Sequence, residues 1–167
     1  MGPARSTSDH SCMLIRDMAR KVPREMSAIR AMAGVRVGLA ARRTLGVKRS
    51  GGTQLYGIIE IGEEHGGMCF GDGVQYASGC TFGKGNIRKQ PYGKLAFTLI
   101  DKATNRAVRV SYRATLQKQI AASAFMRQRA EGIMPDDIPE AEQMELVNLV
   151  WDAPEADVIT IGPVFEY

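Results

Sequence analysis

Between Arg24 and Leu45 the apolar residues Met26, Ile29, Ala33, Val37, Ala40, Ala41 and Leu45 recur at helical spacing, and Gly34 and Gly38 sit four apart within the same pattern. This predicts one long helix with Arg30, Arg36, Arg42 and Arg43 largely off its apolar face. A glycine inside a helix costs about 1 kcal/mol relative to alanine, so a pair one turn apart implies a backbone or a second subunit in close approach. Gly46 is the expected stop.

The densest chemistry lies further on, in Cys69 to Asn86 and in Tyr92-Gly93-Lys94. Gly79-Cys80-Thr81-Phe82-Gly83-Lys84-Gly85-Asn86 reads as a shaped backbone surface rather than as packing filler. Asp72 is expected to cap a short helix from Val74 to Ser78, with Cys69 at its entrance and Cys80 just past its end. Lys84 and Lys94 both follow glycines, and a cation beside free backbone N–H groups suits an anionic ligand. The anion-holding set is then Thr81, Gly83, Lys84, Gly85, Asn86, Tyr92 and Lys94; lysines that merely solvate a turn are the alternative. Cys69 and Cys80 are separated by ten residues and lack a Cys-x-x-Cys knuckle, so spacing alone leaves inert thiols and metal ligands both open.

The rest of the chain sets the fold class. Residues 1–12 have the composition of a mobile tail, in which His10 and Cys12 have ligand-like spacing, and a helix is expected over Met13 to Lys21. Strands are expected at Leu55–Ile61, Leu95–Ile100 and Ala107–Tyr112, the last two forming a hairpin through Asp101 to Arg106, with a further strand at Val158–Ile161. Helices are expected at Ile120–Arg129 and Glu140–Val150, parted by Pro135 and Pro139. The result is an α+β fold with an antiparallel or mixed sheet, a long glycine-containing helix and C-terminal helices, residues 13–167 making a single domain. Twenty-two Lys and Arg against eighteen Asp and Glu give +4, enough to suit an anionic small molecule but short of a nucleic-acid signature. Three cysteines and no membrane-length apolar run point to a cytoplasmic protein with reduced or metal-bound thiols.

Taken together, Gly34-x-x-x-Gly38, Cys69, Asp72, Gln75, the Gly79–Asn86 block and Tyr92-Gly93-Lys94 resemble the family of formylmethanofuran dehydrogenase E-subunit-like (FmdE-like) proteins over roughly residues 24 to 150. The resemblance implies a metal- or small-ligand-binding protein associated with one-carbon or molybdenum/tungsten-enzyme metabolism. It also implies zinc or another divalent metal as cofactor and a homodimer, the latter supported by the small-residue face of Gly34, Gly38 and Ala41. Its metal ligands would be Cys69, Cys80 and His65, leaving a position for water or substrate. The chain departs from the family where a His-x-Cys segment is expected, carrying Arg30 and Met32 instead, and no cysteine follows Cys80. Two other functions stay open: a thiol- or metal-dependent enzyme with Cys69, Cys80 and Asp72 as catalytic groups, and a non-catalytic dimeric subunit or module for an organic cofactor.

Overall fold

The computed structural model describes residues 26–167. The tail with His10 and Cys12 and the helix expected at Met13–Lys21 lie outside the described residues. Helix α1 (Met26–Leu45) leads to strand β1 (Leu55–Ile59), helix α2 (His65–Ser78), a 3-10 turn at Phe82–Lys84 and strand β2 (Ile87–Lys89). The hairpin of β3 (Ala96–Asp101) and β4 (Arg106–Tyr112) comes next, then helices α3 (Ala114–Ala121), α4 (Ala124–Ala130), α5 (Glu140–Asp152) and the short α6 (Glu155–Val158), and finally β5 (Ile159–Glu166).

The five strands form one mixed sheet in the order β2-β1-β3-β4-β5. β1 and β2 run parallel, α2 supplying the crossover that parallel neighbours need, and the other three pairings are antiparallel. β3 is buried along nearly its whole length: Phe97 and Leu99 join the main core, while Ile100 joins Ile58 and Ala107 under Tyr56 on the other face.

Helix α1 is central rather than amphipathic. It packs on β3, β4 and β5, on α5 and on α2. Met32 and Val35 are therefore as buried as the expected stripe of Ile29, Ala33, Val37, Ala40 and Ala41. A Cβ on Gly34 would stand 2.1 Å from the Phe70 carbonyl oxygen, and one on Gly73 would stand 1.9 Å from that of Ala31. The two helices thus cross backbone on backbone through a glycine from each. Gly38 meets Ala77 Cβ and the Val74 carbonyl in the same way. The close approach expected of the Gly34/Gly38 face is made by α2 of the same chain, and that face is not available to a second subunit.

Three arginines of α1 fasten helix ends. Arg36 Nη1 donates to the carbonyls of Val150, Trp151 and Ala153 at 2.7, 3.2 and 2.7 Å, closing the C-terminus of α5. Arg42 donates to Ala77 O at the end of α2, and Arg43 pairs with Glu155 at the start of α6. The C-terminal carbonyls of a helix lack intrahelical partners and carry partial negative charge, which is why Arg36 and Arg42 suit their places, while Arg43 meets a carboxylate.

Candidate functional site

Around the cysteines the structure departs from the sequence reading. α2 begins at His65, not near Val74, so Asp72 stands exposed in mid-helix and caps nothing, and Cys69 lies inside the helix. The helix ends as expected, at Gly79 in the left-handed region with φ 73° and its N–H on Gln75 O. The nine residues from Cys69 to Ser78 advance the axis by ~13 Å, so the helix separates Cys69 from the turn that carries Cys80. Cys80 is fully buried in the main core, and burial pushes its thiol up, against smaller opposing effects from the Ser78 hydroxyl and the charges of Lys84, Lys102 and Arg49. We therefore expect Cys80 to be alkylated by iodoacetamide at pH 7 at least ~10-fold more slowly than free cysteine, and rapidly once urea unfolds the chain, as read by peptide mapping. Labelling at the free-cysteine rate would place the thiol at the surface.

The glycine-rich loop beyond Cys80 is satisfied from within. Asn86, buried, accepts from Thr81 N at 2.8 Å and donates to Gly52 O and Leu55 O at 3.2 and 3.1 Å. Gln75 Oε1 accepts from Phe82 N, Thr81 caps the 3-10 turn through Lys84 N, and Gly85 N reaches Phe82 O with φ 64°. Lys84 Nζ donates to Ser50 O at 2.9 Å. Thr81 and Gly85 thus close the loop on itself, Lys84 and Asn86 tie it to the 50–55 segment, Gly83 faces open space, and the Tyr92 ring is well exposed.

Of the seven residues expected to hold an anion, the structure carries Lys94 elsewhere, to a cleft of about 590 Å³ lined by Arg30, Glu64, Gly93, Lys94, Leu95, Arg109, Ser111 and Tyr112. Four parts of the fold build it: α1 brings Arg30, the entry to α2 brings Glu64, the turn before β3 brings Lys94, and β4 brings the last three. Gly93, at φ 63°, makes the turn that presents Lys94. The Arg30 side chain lies across Gly66, where a Cβ would stand 2.7 Å from its Cδ and Nε. Arg109 grips Glu60 with two bonds of 2.6 and 2.8 Å. That hydrogen bond holds the Glu60 carboxyl below the usual carboxylate range in spite of its burial, and Lys94 acts in the same direction.

Among the described residues Arg30 and Lys94 make no hydrogen bond or ion pair with the chain, whereas Arg109 is held in place by its carboxylate. Tyr112 forms the back wall. Its hydroxyl is buried without a hydrogen-bond partner among the described residues, and burial pushes its pKa up to about 12 against the opposing charges of Arg30 and Arg36. In the sequence, position 30 stands out only as a departure from the family pattern, and Arg109, Ser111 and Tyr112 read as ordinary strand residues. The one local signal is a lone arginine inside the apolar run Ala107–Val110.

No group of three or more His, Cys, Asp or Glu able to hold a metal ion occurs among the described residues. Nor is any described helix long and apolar enough to cross a membrane.

No curated protein matches the chain. A solved structure described as a tungsten formylmethanofuran dehydrogenase FmdE-like protein from Syntrophus aciditrophicus is 21% identical with a TM-score of 0.45, covering 81% of this chain. The match spans 64% of that protein's length. Residues 27–160 match the family described as FmdE, Molybdenum formylmethanofuran dehydrogenase operon, so the chain belongs to the FmdE family.

Proposed function

We propose that this protein is a small-ligand-binding member of the FmdE family, that its ligand is an anion held in the cleft by Arg30 and Lys94, and that it serves one-carbon or molybdenum/tungsten-enzyme metabolism. The observation that carries the reading is the convergence of Arg30, Lys94 and Arg109 on one cleft, where, among the described residues, only Arg109 is neutralised by a carboxylate partner. A cation without a bonded partner in a recess is poised to exchange water for an acid, and charge-assisted hydrogen bonds are the strong ones.

A metal-dependent reading has less support. Arg30 stands where the family resemblance expects a histidine, Met32 is packed in the core where it expects a cysteine, and Cys80 is sealed among apolar residues. A guanidinium beside the site repels a metal cation, so these residues do not fit zinc, and no chemical step is assigned to one. The same burial weakens the reading of Cys80 as a nucleophile.

The test is thermal denaturation of tag-free protein across a series of inorganic phosphate and propionate concentrations. Parent protein should be stabilised by both anions, the gain rising with the logarithm of anion concentration above the dissociation constant. Lys94→Met and Arg30→Met should lose at least half of that stabilisation, and Lys94→Met should melt within ~2 °C of the parent when no anion is added, because an exposed lysine contributes little to folding. Equal anion responses in parent and both variants would sink the proposal, as would one tightly retained equivalent of zinc in the purified chain.

A further inference from the structure

A second cavity, of about 250 Å³, adjoins the cationic cleft and shares two of its walls, Arg30 and Tyr112. Its remaining lining is apolar: Ile29 and Ala33 from α1, Ile120 and Ala121 from the end of α3, and Met126 from α4. Size decides what such a pocket can take. An apolar protein cavity of about 150 Å³ holds benzene, so this one accommodates a single ring or a short branched chain. Methionine, unbranched and polarisable, suits a wall that meets the face or edge of a ring.

The two recesses meet where one guanidinium and one phenol belong to both. Chemically that is a boundary: carbon on one side, charge on the other, with Arg30 and Tyr112 walling both. Gly66 belongs to the same device. A Cβ there would stand 2.7 Å from Arg30 Cδ and Nε, so any larger residue would push the Arg30 side chain off its present course across the first turn of α2.

We propose that the physiological ligand is an amphipathic acid, its carboxylate or phosphate in the cleft against Arg30 and Lys94 and its ring or short branched body in the pocket between α1, α3 and α4. This rests on the anion-binding reading above and adds the second half of the ligand. Arg30 and Tyr112 contact the junction of head and body, and they set specificity by requiring both parts in one molecule. An acid without a body leaves the apolar pocket to water, and a neutral body leaves two cations unmet.

Calorimetric titration of the full chain with 3-phenylpropionate, propionate and 3-phenyl-1-propanol separates the parts, and phenyl phosphate against inorganic phosphate repeats the comparison with the other head group. In the parent, 3-phenylpropionate should bind at least ~10-fold more tightly than either fragment, the size of effect that burying a ring gives. Ala121→Phe, a change at an exposed position that fills the apolar pocket, should erase the advantage over propionate and leave propionate itself unaffected. Gly66→Ala should fold well, since alanine is the better helix former; by displacing Arg30 it should erase most of the advantage over the alcohol. If propionate and phosphate bind through Lys94 but the ring adds nothing, or if Ala121→Phe leaves its advantage intact, this inference falls and the anion-binding function stands. If neither the fragments nor the joined acids bind, both fall.

Discussion

Alanine at position 73 will lower stability by about 3 kcal/mol or more, although alanine is the residue a helix ordinarily prefers. The added carbon would lie inside the van der Waals radius of the Ala31 carbonyl oxygen and 2.8 Å from Val35 N, both backbone atoms of α1 that cannot turn aside as a side chain would. Relief requires the helices to separate, and α1 is held from behind by the sheet and from the side by α5. Gly34→Ala should cost as much, for the reciprocal reason that its Cβ would meet the Phe70 carbonyl. For a chain of this size the corresponding fall in melting temperature is about 6–12 °C. Gly83→Ala is the control: open space surrounds it, so the change should stay within about 0.5 kcal/mol. A Gly73→Ala protein that melts within ~2 °C of the parent would mean that the two helices do not cross at this distance.

The second large effect is expected at Arg36. One terminal nitrogen meets three carbonyls of the last turn of α5 and the residue after it, in a place where burial lowers the guanidinium's affinity for its proton and Glu155 and Asp152 partly restore it. Methionine keeps much of the volume and removes the donors, leaving those carbonyls without their charged partner. The expected loss is about 2–3 kcal/mol, or roughly 4–12 °C in melting temperature. Because arginine stays protonated throughout the accessible range, the loss should be the same at pH 6 and pH 9. Hydrogen exchange gives a further mark: amides of α5 and α6 should lose protection while those of β3 keep it. Uniform loss across the chain, or none, would show that Arg36 does not fasten that end.

What is legible in the sequence follows the range of its signals. The α1 pattern, the Gly46 stop, the hairpin through Asp101 to Arg106 and the α5 segment rest on local periodicity and turn chemistry, and the structure carries all four. The first half of α2 is not legible, because His65-Gly-Gly-Met-Cys-Phe-Gly-Asp-Gly73 holds four glycines, each unfavourable in an isolated helix. What makes it helical is packing against α1, which only a folded chain supplies. β2 is three residues in parallel register with β1, a pairing with no local trace. Ile120–Arg129 is two helices rather than one, α3 starting at Ala114 and a break falling at Ser123, whose hydroxyl caps α4 through Met126 N. At the site, Lys94 is visible because its Tyr-Gly-Lys context is unusual. Arg30 and Arg109 are not, since each is an ordinary residue in an ordinary element until the fold sets it beside the others.

The central position of α1 makes the candidate site a lever on the whole chain. Its N-terminal half walls the ligand recess with Ile29, Arg30 and Ala33, and the same turns bear the sheet on one side and α2 on the other. Nothing that holds Arg30 in place can leave the folding equilibrium untouched: binding and folding are linked functions, and a ligand at 100 times its dissociation constant adds about 2.7 kcal/mol to the stability of the native state. That amounts to roughly 5–10 °C in a domain of this size. A melting curve recorded against a library of small acids is therefore a calibrated affinity scale, able to rank candidate ligands before any activity has been assigned.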